Sequence, residues 1–99
     1  MIRFQGTAVT ASASLYMTKL CKHFRHKIAV EFDAHNADAQ FPFGRCLMRA
    51  DAQILHFDCQ ANDSEAAARI RFVLDDHLVR FARKENLSIA WCEDVTDES

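Results

Sequence analysis

Ninety-nine residues carrying a net charge of −2 make one globular domain, and 49% hydrophobic residues, with eight Phe, supply a core. Only two Gly and one Pro exclude a collagen-like or loop-dominated chain. The net charge by itself carries no whole-molecule message about nucleic acid or membranes, and no stretch approaches the roughly 20 apolar residues of a membrane span.

Residues 3–10 read as a first strand, weakened by Gly6. Ser12 or Ser14 then caps a helix that runs to about Arg25, where Tyr16, Leu20 and Phe24 recur every four residues and Met17 and Cys21 widen the stripe. Ile28, Val30 and Phe32 alternate with Ala29, Glu31 and Asp33 as a half-buried strand, and His35-Asn36-Ala37-Asp38 reads as a turn. Residues 39–49 follow as one strand, with Pro42 and Gly44 marking an edge position or a bulge. Residues 53–61 alternate Leu55, Phe57 and Cys59 with Ile54, His56, Asp58 and Gln60. Asp63 or Ser64 caps a second helix with Ile70, Val73, Leu74, His77, Leu78 and Phe81 at helical spacing, ending near Glu85-Asn86 with Asn as a left-handed cap. Leu87, Ile89 and Trp91 close as an alternating strand.

The predicted order is β-α-β-β-β-α-β over residues 1–93, an α+β two-layer sandwich with two helices packed on one face of a mostly antiparallel sheet; residues 94–99 read as an acidic disordered tail. The uncovered face carries Glu31, Asp33, Asp38, Gln40, His56 and Asp58 and is expected to be solvated. Three intervening strands make the two helices parallel, which gathers Lys22, Arg25, His26 and Lys27 with Arg80, Arg83 and Lys84 at one end of the molecule. Cations at helix C-termini complement the helix dipole, and the same surface suits an anion.

Cys21, Cys46, Cys59 and Cys92 form no C-x-x-C pair or zinc-type spacing, and the opening Met1-Ile2-Arg3-Phe4-Gln5-Gly6 lacks the apolar run of a secretory signal. The expectation is a cytoplasmic protein with reduced thiols that serve mostly as small core residues. His77 interrupts an apolar stripe and reads first as a core histidine bonded to a carbonyl, second as a titrating group. His23, His26 and Cys21 are the weak candidates for a metal, but no carboxylate joins them and Lys22, Arg25 and Lys27 repel a cation. Cys21 as a nucleophile is disfavoured by its place on the apolar stripe. No G-x-S-x-G, P-loop, Rossmann fingerprint or H-E-x-x-H occurs, so no catalytic residue is assigned and no cofactor is expected. The internal α-β-β-β-α order matches double-stranded-RNA-binding domains, yet the second helix begins Asp63-Ser64-Glu65, the wrong sign for phosphates.

The pieces Leu20-Cys21-Lys22-His23-Phe24 with His26-Lys27, and His77-Leu78 with Arg80-Phe81-Ala82 and Lys84-Glu85, resemble bacterial domain-of-unknown-function family 2218. Val30-Glu31-Phe32 and the closing strand extend the likeness. Such domains also occur attached to, or encoded near, flavin-dependent siderophore-interacting proteins, so the resemblance implies an accessory role in iron–siderophore handling. The leading reading is a non-enzymatic binding module that engages an anionic small molecule or an acidic partner protein through Lys22, His23, Lys27, His77, Arg80 and Arg83. One alternative is a small enzyme using His23 or His77 as general acid/base, favoured if the imidazoles lie within ~6 Å with one pKa displaced. Another is a homodimeric interaction module paired through an edge strand or the sheet face.

Overall fold

Outward-and-inward alternation in six short segments pairs them into one antiparallel sheet in the computed structural model, which describes residues 1–93. The strands are β1 (Ile2–Val9), β2 (Ala29–Phe32), β3 (Asn36–Phe41), β4 (Gly44–Ala50), β5 (Ile54–Ala61) and β6 (Ala90–Glu93), in spatial order β2-β3-β4-β5-β1-β6. Helices α1 (Ala13–Phe24) and α2 (Ser64–Phe81) pack on one face, and a 3₁₀ turn, Arg83–Glu85, follows α2. The α+β two-layer sandwich stands as expected. The acidic tail expected at 94–99 lies outside the described residues. Among the described residues no helix is long and apolar enough to cross a membrane.

One local difference changes the geometry. The single strand expected over residues 39–49 is a tight hairpin, in which Phe41 pairs with Gly44 and Pro42-Phe43 form the turn. Pro pre-sets the backbone for the first central position of a turn and cannot donate to a ladder, so the chain reverses there. Gly44 is required by a close approach: a Cβ there would come within 2.3 Å of the Gln60 carbonyl oxygen and 2.7 Å of Ile70. Four strands, not three, therefore separate the helices, and the parallel arrangement expected above is incorrect. The helices run antiparallel. His23 near the end of α1 meets His77 on α2, while Tyr16 near the start of α1 reaches Glu85 beyond the end of α2.

Smaller shifts follow from side-chain hydrogen bonds. The turn expected at residues 35–38 lies earlier, because Asp33 Oδ1 accepts the backbone N–H of His35 and of Asn36, each at 2.8 Å, and β3 starts at Asn36. Ser12 occupies the N-cap of α1 but makes no capping bond. Its own N–H donates to Thr10 Oγ1, while the Ser14 hydroxyl donates to the Ala34 carbonyl. Asp63 caps α2 by accepting the Ala66 N–H at 2.8 Å, and Asn86 takes the left-handed conformation after the 3₁₀ turn.

The core lies between the layers. Phe4, Leu55 and Phe57 of the sheet meet Met17 and Leu20 of α1 and Ile70, Leu74 and Leu78 of α2, all essentially without solvent contact. Each such side chain contributes roughly 1.5–3 kcal/mol by burial. Cys21, Cys46 and Cys59 are buried free thiols, and Cys92 is an exposed one. Gly6, which weakens the β1 pattern, makes room for the Trp91 ring across the β1–β6 pair. Trp91 packs edge-on to Phe4 and donates its indole N–H to Asp75 at 2.9 Å, which ties β6 to α2.

Candidate functional site

Leu20 and Phe24 anchor α1 in the core, and His23, on the shoulder of the same stripe, faces α2. There its ring lies 4.5 Å, centroid to centroid, from that of His77. Phe24 and Phe81 pack edge-on or tilted against both imidazoles. His77 is half-buried, and its Nδ1 donates to the Val73 carbonyl one turn back at 2.7 Å. That bond accounts for a histidine in an apolar stripe, and in the neutral tautomer it leaves Nε2 as a free acceptor. His23 is exposed. Partial desolvation first, then the charges of His77, His26, Lys27 and Arg80, hold its pKa below the ordinary histidine value.

The antiparallel helices thus bring together four of the six predicted residues, by a route other than the one expected. His23, His77, Arg80 and Lys27 share one neighbourhood because the C-terminal end of α1 crosses the last turns of α2. Two residues fall away from it. Lys22 is about 100° around α1 from His23, and Arg83 lies in the 3₁₀ turn whose Glu85 reaches back toward the start of α1. Arg80 also forms an i,i+4 ion pair with Asp76 at 3.3 Å, so part of its charge is already answered. The pair is solvent-exposed and weak.

The metal candidates separate. Cys21 is wholly buried, and burial pushes its thiol up to about 11, whereas His23 and His26 are exposed. No group of three His, Cys, Asp or Glu side chains among the described residues is placed to hold a metal ion.

A broad concavity lies elsewhere, on the open sheet face. It is a trough of about 740 Å³ across β1–β5, lined by Thr7, Glu31, Leu47, Arg49, His56 and Asp58 among others. His56 Nε2 lies 3.0 Å from Asp51 Oδ2, and Arg49 approaches the same oxygen at 3.8 Å. Asp51 also accepts the backbone N–H groups of Gln53 and Ile54. The Gln53 bond first, then His56 and Ile54, hold its carboxyl at about 2. The polar residues of this face were legible from strand alternation, but its curvature into a trough was not.

The chain matches the family model described as "Uncharacterized protein conserved in bacteria (DUF2218)" over residues 5–92. The chain belongs to that family. The NMR structure of PA4090 from Pseudomonas aeruginosa is similar to it over 93% of this chain and 96% of that one, with 33% identity and a TM-score of 0.78. Among curated proteins, none matches.

Proposed function

We propose that this family member is a non-enzymatic cytoplasmic binding module that takes an anionic small molecule at the helix seam. The observation that carries the reading is the meeting of His23 and His77 at 4.5 Å beside Arg80 and Lys27. Lys27 and Arg80 offer N–H donors and positive charge to one anion, His23 can add a ring N–H, and His77 adds one from Nε2 when protonated. The aromatic walls of Phe24 and Phe81 reduce competing water. An accessory role in iron–siderophore handling agrees with this chemistry, since many ferric chelates are anionic.

Calorimetric titration of ferric chelates, flavin nucleotides and inorganic phosphate against wild type, Lys27→Ala and Arg80→Ala tests the proposal. Saturable binding of at least one anion is expected, weakened severalfold in each variant. Flat titrations throughout would end the reading. A response only to acidic peptides would replace the small molecule by a partner protein.

A second reading is favoured by the same pair. His77 is oriented by the Val73 carbonyl with Nε2 open, and the lowered His23 pKa favours its neutral imidazole, so the pair offers proton acceptors side by side. An acid/base enzyme of this kind would lose all turnover in His23→Gln and in His77→Gln alike, whereas a binding module would lose affinity only.

A further inference from the structure

The core between α1 and the sheet holds three free thiols, Cys21, Cys46 and Cys59, none with solvent contact. Two of them face each other across neighbouring strands: Cys46 on β4 is the register partner of Cys59 on β5. The Asp51 N–H donates to the Ile54 carbonyl at 3.0 Å, and the Asn62 N–H donates to the Phe43 carbonyl at 3.1 Å. Hydrogen-bonded pairs therefore fall at 43–62, at 51–54 and at every second position between them. Cys46–Cys59 belongs to the alternate set, in which Cα atoms stand about 4.5 Å apart and side chains approach most closely. A disulfide needs Cα atoms roughly 4.4–6.8 Å apart, so neither strand has to change register for these sulfurs to bond. The spacing is at the short limit of that range, where the bond is strained and easily reduced. The only other partner of the Cys46 thiol is a weak one, the Leu47 carbonyl at 3.8 Å.

We infer that Cys46 and Cys59 form a reversible disulfide site concealed beneath α1, oxidised by exchange with a low-molecular-weight disulfide such as glutathione disulfide. Contact with Cys59 first, then burial, hold the Cys46 thiol well above its ordinary pKa, so it stays protonated while α1 is seated and reacts when the layers open locally. One cysteine thiolate attacks a glutathione sulfur and releases a glutathione thiolate. The other then attacks the protein sulfur of the mixed disulfide and releases the second. One S–S bond forms in the protein and one breaks in glutathione disulfide; two cysteines are oxidised, and their protons end on the two glutathione thiols. The bond joins β4 to β5 at the middle of the sheet. It uses no residue of the helix seam and stands or falls without the anion reading.

The test is equilibration of the whole chain carrying Cys92→Ser, which removes the exposed thiol, in mixtures of reduced and oxidised glutathione. One sample starts reduced and the other starts from protein refolded out of urea with glutathione disulfide. Trypsin cuts after Arg45 and Arg49 and so puts Cys46 and Cys59 in separate peptides, and mass spectrometry reads the link without any core substitution. Both samples are expected to converge on one linked pair, 46 with 59. A tenfold rise in glutathione disulfide at fixed reduced glutathione should raise the linked-to-open ratio about tenfold. Adding Cys21→Ala should preserve the link, and adding Cys59→Ala should abolish it. Cys21 as the main partner, glutathione adducts without a link, no link from either start, or a link that excess reduced glutathione leaves closed would each overturn the proposal.

Discussion

α1 touches the α2 segment at two polar places, and they are built differently. Near its start, the Tyr16 hydroxyl donates to Glu85 Oε2 and the Thr10 hydroxyl donates to Glu85 Oε1 at 2.8 Å, while Thr10 Oγ1 accepts the Ser12 N–H. Both oxygens of the carboxylate are engaged, and Thr10 and Tyr16 are buried. Near its end, His23 and His77 meet as rings with no hydrogen bond between them, in partial contact with solvent. The first corner is closed: every donor has its acceptor, so it locks the 3₁₀ turn onto the start of α1. The second keeps open nitrogen positions beside Lys27 and beside Arg80, whose charge Asp76 answers only in part. Satisfied polar groups at a helix contact hold structure, and unsatisfied ones at an accessible contact are where a ligand can add free energy.

The hardest blow to this contrast is to remove what joins the two places. Leu20 sits between Tyr16 and His23 on the same face and has no solvent exposure. Leu20→Ala is expected to cost about 2–5 kcal/mol by lost transfer energy and a residual cavity. Urea denaturation measures it, and a loss below about 1 kcal/mol would mean that the layers repack freely at α1.

Next in size is the closed corner itself. Thr10→Val removes the bond to the exposed Glu85 carboxylate and the acceptor of the half-buried Ser12 N–H, and is expected to cost about 0.5–1.5 kcal/mol in the same assay. The acid limb of stability sharpens the point. Tyr16 first, then Thr10, hold the Glu85 pKa below its ordinary value of 4.5. Its contribution is therefore complete above that value and is lost as pH falls through the lowered folded-state pKa. Glu85→Gln should flatten this part of the pH–stability curve. An unchanged acid limb would show that the corner is not electrostatically closed.

The smallest expected effect belongs to the open seam. His23 should titrate below the ordinary histidine value of 6.5, followed by the Cε1 proton in NMR. The sign is that of a group whose neutral form the fold prefers. Its contribution to stability is full above 6.5 and declines as pH falls below it. Lys27→Ala and Arg80→Ala should each raise the midpoint slightly, and a bound anion should raise it further. An imidazole that ignores both variants would not share a neighbourhood with either cation.

Much of the architecture was legible from residue order. The i, i+4 spacing of Tyr16, Leu20 and Phe24 and the stripe from Ile70 to Leu78 lie on the buried faces of α1 and α2, and Asp63 caps α2. Leu55, Phe57 and Cys59 face the core while His56 and Asp58 face outward. His77 bonds to a carbonyl, as a polar residue in an apolar stripe must. The Phe41-Pro42-Phe43-Gly44 reversal was open to a better reading, since eleven residues are long for one strand and Pro followed two residues later by Gly is a turn signature. The trough had no sequence signal, because a sheet's curvature depends on the summed twist and packing of all its strands.

Periodicity by itself determined how many helices this chain forms, which side of each is buried and which strand residues meet water, because those are local consequences of where apolar groups recur. The relative direction of the helices was decided only in the tertiary structure. Direction alternates with each strand added between them, and whether residues 39–49 make one strand or two depends on the neighbours available for pairing: β4 exists because β3 and β5 flank it. One turn at Pro42 thus sets which ends of α1 and α2 meet, and with them the company that His23 keeps.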